Sequence, residues 1–103
     1  MSKTALFIRH HAKPGQREAV QRIWEKHVKP RVIASPSHEF YYFCHDEKDP
    51  DVISVFQLYS TEHDMKDFLS GPWYPEYLEE IKQVVTGPPE IFPATLVWSK
   101  AEP

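Results

Sequence analysis

Residues 38–59 read HEFYYFCHDEKDPDVISVFQLY, and this stretch decides the fold. Two runs rich in aromatic and β-branched residues, His38–His45 and Val52–Tyr59, flank the charged segment Asp46–Asp51. Runs of this length and composition favour strands, and a charged connection between them favours a hairpin. Both faces of the second strand carry apolar side chains, so we expect the hairpin to lie between two layers.

The residues before the hairpin predict a strand followed by a helix. Residues 4–11 begin as an apolar run, and the Pro-Gly pair that follows favours a turn. Residues 16–29 repeat apolar side chains at spacings of three and four, which is typical of an amphipathic helix. Pro30 has no backbone N–H to donate, so we expect the helix to end or kink there.

The residues after the hairpin predict a helix in two pieces and a last strand. Thr61–Asp64 has the pattern of a capping box, which starts the first, short piece. The second piece begins near Pro75, because proline suits the first turn of a helix. The last strand covers about residues 90–99, and Pro93 inside it confines that strand to a sheet edge or a bulge.

The predicted order is therefore β-α-β-β-α-β in one domain that spans residues 1–103. This order is typical of an α+β, ferredoxin-like fold, in which helices cover one face of a four-stranded antiparallel sheet. Here the other face would carry large apolar side chains, and soluble monomers rarely expose a patch of that size. We therefore expect a homodimer that joins sheet to sheet.

Composition excludes several classes of partner. The chain has 103 residues, with 6 Phe, 5 Tyr and 3 Trp but only 3 Gly, and its net charge is −3. A slightly acidic chain without a basic patch gives no reason to expect a nucleic-acid partner. No apolar run approaches the length of a membrane span, so no membrane partner is expected. The single cysteine, Cys44, favours a cytoplasmic protein.

Several segments together resemble a known family. Its opening is matched by residues 12–16, and its middle by residues 35–42 with the charged turn that follows. The stretch most typical of the family is matched by residues 55–62 and 65–74. The chain resembles the antibiotic biosynthesis monooxygenase domain, including quinol monooxygenase-like proteins. The resemblance implies a dimeric α+β barrel, a pocket between sheet and helices, and oxidation of an aromatic or quinol-type substrate by O₂ without a cofactor.

The sequence departs from this family at positions that bear on chemistry. The family often has Glu-x-Trp at the end of the third strand, where this chain has Gln57 and Tyr59. A histidine commonly lies in the following helix, where this chain has Phe68. Haem-degrading relatives use an Asn, a Trp and a haem-ligating His. At the matching positions this chain has Ile8, Phe68 and Leu78, none of which can ligate haem. Without an axial ligand haem has no anchor, so we expect no haem. The resemblance to the family implies that the protein uses no other cofactor.

The candidate catalytic residues are a histidine and two hydrogen-bonding side chains. Histidine titrates near neutral pH and can accept a proton from an acidic substrate. His10 and His11 end the first strand on opposite faces, and His10 is the candidate for the pocket. Gln57 and Tyr59 are the other candidates, for stabilising the anion or accepting the proton.

Aromatic side chains are the candidates for the pocket walls, because stacking and a few hydroxyl groups suit a flat aromatic ligand. The alternative is that they are ordinary core and dimer contacts. His38 and His45 are seven residues apart, and a regular strand would put them on opposite faces. With no histidine or cysteine pair at a ligand spacing, we expect no metal site. The predicted pocket residues are Tyr42, Phe68, Trp73, Tyr74 and Tyr77.

The expected function is a cofactor-independent monooxygenase that oxidises a small aromatic, quinol or polyketide-like substrate with O₂. Its expected partners are a small aromatic molecule and a second copy of the chain. The alternative is a non-catalytic protein of the same fold that binds a small ligand or acts as a scaffold. Gln57 and Phe68 favour the alternative, since both replace polar groups of the family.

Overall fold

The computed structural model describes residues 3–101, which form one sheet and four helices. The strands are β1 (Thr4–His11), β2 (His38–His45), β3 (Val52–Tyr59) and β4 (Glu90–Thr95). The helices are α1 (Arg17–His27), α2 (Lys29–Ala34), α3 (Glu62–Leu69) and α4 (Trp73–Ile81).

The sheet has the strand order β2-β3-β1-β4, and every neighbouring pair is antiparallel. This order confirms the predicted α+β, ferredoxin-like arrangement, in which the first and third strands lie at the centre. Pro93 lies in β4 at the edge of the sheet, as its missing N–H requires.

One face of the sheet packs against the helices and holds the core. Leu6 and Ile8 of β1 pair with Gln57 and Val55 of β3, so these four side chains share that face. All four are buried. The helices complete the core with Val20, Trp24, Met65, Trp73, Tyr77 and Ile81.

The other face of the sheet carries a row of aromatic side chains. Phe7 pairs with Phe56 on one side and with Phe92 on the other, and Phe56 pairs with Tyr42. These four residues, one from each strand, are here called the aromatic row. Each is more than a third exposed in the single chain. The row is the apolar face that the sequence predicted.

Two helices differ from the prediction. The first helix ends at His27, and the chain continues at once into α2, whose first turn contains Pro30. Proline is compatible with the first turn of a helix, so Pro30 begins a new helix here and does not only end the old one. The last helix covers Trp73–Ile81 and so begins before Pro75. Beyond its end, Val85 makes an isolated bridge to Ala12, the residue that follows β1.

The first residues of β2 do not follow a regular strand. The pairing with β3 shifts between His38 and Phe40, which marks a β-bulge. His38 therefore pairs with Tyr59 and lies on the helix-covered face, as does His45 opposite Ile53. The expectation that the two histidines lie on opposite faces is wrong, because the extra residue breaks the two-residue period.

Candidate functional site

A small cavity lies between the sheet and the helices. Its volume is about 20 Å³, which is room for about one water molecule. The sheet supplies one wall, and α1 and the α3–α4 region supply the rest. The lining residues are Ile8, His10, Trp24, Val28, Tyr41, Val55, Gln57, Phe68, Leu69, Trp73, Tyr74 and Tyr77.

His10 is a buried histidine in the wall of this cavity. Its side chain follows Leu6 and Ile8 on the helix-covered face of β1. Its Nε2 lies 3.3 Å from the Tyr77 hydroxyl. Its Nδ1 is buried and has no hydrogen-bond partner in residues 3–101. Burial, with a smaller contribution from the nearby charge of His11, lowers the pKa of His10 to about 4.

Gln57 is the second buried polar side chain of the cavity wall. Its Oε1 accepts a hydrogen bond from the Tyr59 hydroxyl at 2.6 Å. The same Oε1 lies 3.2 Å from Nε2 of His38. Two side chains therefore hold the amide oxygen, and Tyr59 acts on the cavity through Gln57 without lining it.

The tyrosine hydroxyls of the site are neutral. Burial raises the pKa of Tyr41, Tyr59, Tyr74 and Tyr77 above the ordinary value of 10.0. The Tyr41 hydroxyl accepts a hydrogen bond from Trp24 Nε1 at 2.9 Å, which leaves its own O–H as a donor. These tyrosines are donors at neutral pH, so His10 is the stronger proton acceptor.

Aromatic rings pack against one another along the α3–α4 side of the cavity. The Phe68 and Trp73 ring centroids are 5.0 Å apart, and those of Trp73 and Tyr74 are 5.5 Å apart. Both pairs meet edge to face, the geometry that aromatic rings prefer. The guanidinium of Arg31 lies 5.3 Å from the Trp73 ring centroid and covers it from α2.

Most of the predicted site residues line the cavity, and Tyr42 does not. His10, Gln57 and the four predicted residues of α3 and α4 all line the cavity. Tyr42 belongs to the aromatic row on the opposite face, because it pairs with Phe56. Tyr41, its neighbour, pairs with Gln57 and lines the cavity in its place. The prediction that Tyr42 lines this pocket is therefore wrong.

The sequence reasoning missed Tyr41, Trp24 and His38. Alternation puts Tyr41 and Tyr42 on opposite faces of β2, and only the pairing with β3 shows that Tyr41 is the one that meets Gln57. Trp24 is one of the apolar residues that repeat along α1, and only the contact with Tyr41 shows its polar role. Among the described residues, 3–101, no group of three or more His, Cys, Asp or Glu side chains could hold a metal ion.

No helix within residues 3–101 is both long enough and apolar enough to cross a membrane. Comparison with known sequences gives no match: no protein-family profile matches the chain, and neither does any curated protein.

Solved structures do match the chain over nearly its whole length. A protein of unknown function from Nitrosomonas europaea is 25% identical with a TM-score of 0.82, and the match covers 97% of this chain and 94% of that one. A "putative antibiotic biosynthesis monooxygenase" from Chloroflexus aurantiacus is 23% identical with a TM-score of 0.77, covering 95% and 96%.

A third structure, from Caulobacter crescentus, carries the same description. It is 12% identical to this chain, with a TM-score of 0.85 over 94% of this chain and 92% of that one. A structural match at sequence identity this low shows that the folds are alike and does not show that the activities are alike. The chain has the fold of the structures described as antibiotic biosynthesis monooxygenases, as the resemblance of its sequence predicted.

Proposed function

We propose that the protein is a monooxygenase that oxidises a small aromatic, quinol or polyketide-like substrate with O₂, without a metal or organic cofactor. One observation carries the proposal. His10 is buried and neutral, and its unpartnered Nδ1 belongs to the wall of an aromatic-lined cavity. A buried polar atom without a partner is costly, which supports a functional reason for keeping it.

In the proposed reaction His10 is the general base. In the tautomer that this role requires, Nδ1 accepts the acidic proton of the substrate, and Nε2 carries the hydrogen that faces the Tyr77 hydroxyl, 3.3 Å away. The N–H groups of Gln57 and the O–H of Tyr41 stabilise the substrate anion, because donors act strongly in a dry site. An electron-rich carbon of the anion then forms a bond to O₂ and takes back the proton from His10, which gives a hydroperoxide. The O–O bond breaks as the hydroperoxide loses one oxygen atom and the hydrogen of that carbon as water, and the other oxygen atom stays on the product as a carbonyl, so the substrate supplies all the electrons. The surrounding aromatic rings keep bulk water out.

The cavity must widen before such a substrate can bind. A volume of about 20 Å³ admits about one water molecule and no aromatic ring. Phe68, Leu69 and Trp73, at the junction of α3 and α4, line the side of the cavity opposite the sheet. We therefore propose that the substrate binds by displacing these side chains outward.

The proposal includes a homodimer that joins sheet to sheet. The aromatic row leaves four large rings more than a third exposed on one face. Phe7 and Phe56 already pack edge to face at 5.7 Å, so they offer a rigid apolar surface to a second copy. Burial of such a patch is the usual outcome for a chain in water.

Oxygen uptake with a panel of hydroquinones and hydroxy-aromatics tests the proposed function. Pure protein should consume O₂ only when a substrate is present. His10→Gln removes the base, and we expect kcat/KM to fall by about 100-fold or more, the usual effect of losing a general base. His63→Gln, at an exposed position of α3, is the matched control and should keep full activity. No substrate-dependent uptake by the wild-type protein overturns the proposal.

A second candidate is a non-catalytic protein that binds a small aromatic ligand. The small volume of the cavity favours it, since the rings of α3 and α4 already fill most of the space. Ligand-dependent thermal stabilisation without oxygen uptake would support this candidate. Stabilisation together with turnover would support the enzyme.

A further inference from the structure

His38 is a half-buried histidine that reaches the candidate site from the start of β2. The β-bulge turns its side chain to the helix-covered face, opposite Tyr59. Its ring lies 4.2 Å from the Tyr59 ring and 4.5 Å from the Phe68 ring, measured between centroids. These two contacts hold the imidazole ring in place. Its Nδ1 then lies beside Ser35 Oγ and its Nε2 beside Gln57 Oε1.

The hydrogen bonds around His38 determine which nitrogen carries the proton. Ser35 Oγ accepts from the backbone N–H of Ser37 at 3.2 Å and lies 3.0 Å from His38 Nδ1. The Ser35 hydroxyl proton can then be donated to Nδ1. In a neutral imidazole the other nitrogen is the donor, so Nε2–H donates to Gln57 Oε1. Burial lowers the pKa of His38, which favours this neutral form.

Gln57 is thereby held in one orientation. Its Oε1 accepts from His38 and from the Tyr59 hydroxyl, at 3.2 Å and 2.6 Å. With Nε2 protonated, a flipped amide would place its NH₂ group against the His38 N–H and would leave the Tyr59 O–H without its acceptor. The amide nitrogen therefore lies away from His38 and Tyr59, in a side chain that lines the cavity.

We propose that His38 is a positioning residue that locks Gln57 so that its N–H groups form a subsite for a phenolate or carbonyl oxygen of the ligand. The inference rests on the proposed function in one respect, that the ligand occupies this cavity. Two further residues help to lock Gln57. Ser35 contacts His38, and Tyr59 donates directly to the amide oxygen of Gln57.

The tautomer of His38 tests the lock without any ligand. Nitrogen NMR of histidine-labelled protein at neutral pH should show Nε2 protonated and Nδ1 unprotonated. Ser35→Ala removes the donor to Nδ1 and leaves the Tyr59 contact intact, so we expect a mixture of tautomers in that variant. A wild-type His38 protonated on Nδ1 overturns the proposal.

Binding of 4-nitrophenol tests the subsite. Nitrobenzene is the matched ligand, because it differs only in lacking the phenolic oxygen. Quenching of tryptophan fluorescence gives the affinity of each. The wild type should prefer 4-nitrophenol, and His38→Leu should reduce that preference by about tenfold, the effect of losing one well-placed donor. His38→Gln carries an N–H near the position of Nε2 and should restore most of the preference.

His45→Leu is the control, because His45 lies on the same strand and face but bonds to Gln21. It should leave the preference unchanged. Circular dichroism of each variant confirms that the fold is intact. An unchanged preference in His38→Leu, or no preference in the wild type, overturns the inference. Neither readout needs turnover, so a protein without oxygen uptake overturns the proposed function and leaves this test unaffected.

Discussion

The burial of His10 makes the stability of the fold depend on pH. The pKa of His10 is about 4 in the folded chain, against 6.5 for an exposed histidine. Between these values the unfolded chain binds a proton that the folded chain does not, so the free energy of unfolding falls as the pH falls. For this one group the loss is on the order of 3 kcal/mol across the window.

His10→Leu removes the titrating group and should flatten this dependence. Urea unfolding at about pH 7.5 and about pH 5 measures the change for each protein. The wild type should lose more stability between the two values than His10→Leu does. His63→Gln, which removes an exposed histidine, should behave as the wild type. Equal losses in the wild type and His10→Leu would contradict the prediction.

The hydroxyl of Tyr59 is buried and donates to the side-chain oxygen of Gln57. Tyr59→Phe deletes that donor and leaves the ring, so we expect a loss of about 1–2 kcal/mol in the free energy of unfolding. Chemical denaturation at neutral pH gives the value. Tyr42→Phe removes a hydroxyl from an exposed ring and should change stability by less than about 0.5 kcal/mol. Equal effects of the two substitutions would refute the assigned hydrogen bond.

Among the elements, the junction of α3 and α4 depends on one glycine. A Cβ at Gly71 would overlap the indole of Trp73, whereas a Cβ at Gly87 would meet nothing within 4 Å. Gly71→Ala should therefore displace Trp73 from the cavity wall. We expect a cost of about 1–3 kcal/mol, the usual range for overpacking.

Gly87→Ala is the matched control and should leave stability within about 0.5 kcal/mol of the wild type. Tryptophan fluorescence reports the environment of Trp73, and thermal unfolding reports the cost. Gly71→Ala should shift the emission of the folded protein, and Gly87→Ala should not. An unchanged emission in Gly71→Ala would show that Trp73 does not close the junction.

The elements were predictable where a local pattern defines them. Thr61 accepts a hydrogen bond from the Asp64 N–H at 3.0 Å, so the predicted cap of α3 is confirmed. Pro30 is compatible with two structures, because proline can end one helix and also suits the first turn of the next. Only packing decides between them, and the local sequence does not contain that information.

The residues of the site were easier to predict on β1 and β3 than on β2. Alternation groups Val55, Gln57 and Tyr59 on one face of β3 and separates His10 from His11, and pairing of the strands then decides which of these faces the helices. In β2, the run of aromatic residues makes both faces alike, so the residues give no sign that Tyr41 and not Tyr42 faces the helices. The bulge is set by pairing with β3, a contact between residues far apart in sequence.

At the scale of the whole molecule, the aromatic row predicts association. Phe56 lies in the second strand of the row, between Tyr42 and Phe7. Phe56→Glu places a charge in the middle of the proposed interface, and burying an unpaired charge is costly. Sedimentation analysis should find a dimer for the wild type and a monomer for this variant.

The control for charge alone is Ile33→Glu. Ile33 is 76% exposed on α2, so it is apolar and accessible but lies outside the row. That variant should remain a dimer. A monomeric wild type, or a dimeric Phe56→Glu, would place the interface elsewhere or remove it.

The bulge in β2 also has a consequence for how related chains diverge. From Phe40 onward, β2 keeps its register with β3, and only the residues before it depend on the extra position. A descendant gene that lost the codon for Glu39 would keep Tyr41 in the cavity wall and Tyr42 in the aromatic row. Its histidine would then directly precede Phe40, opposite Tyr59 in a regular strand, and would still face the helices. One deletion could therefore straighten β2 and leave both the histidine beside Gln57 and the surface proposed for pairing in place, while removing the contacts of Glu39 with Lys3 and Ser60.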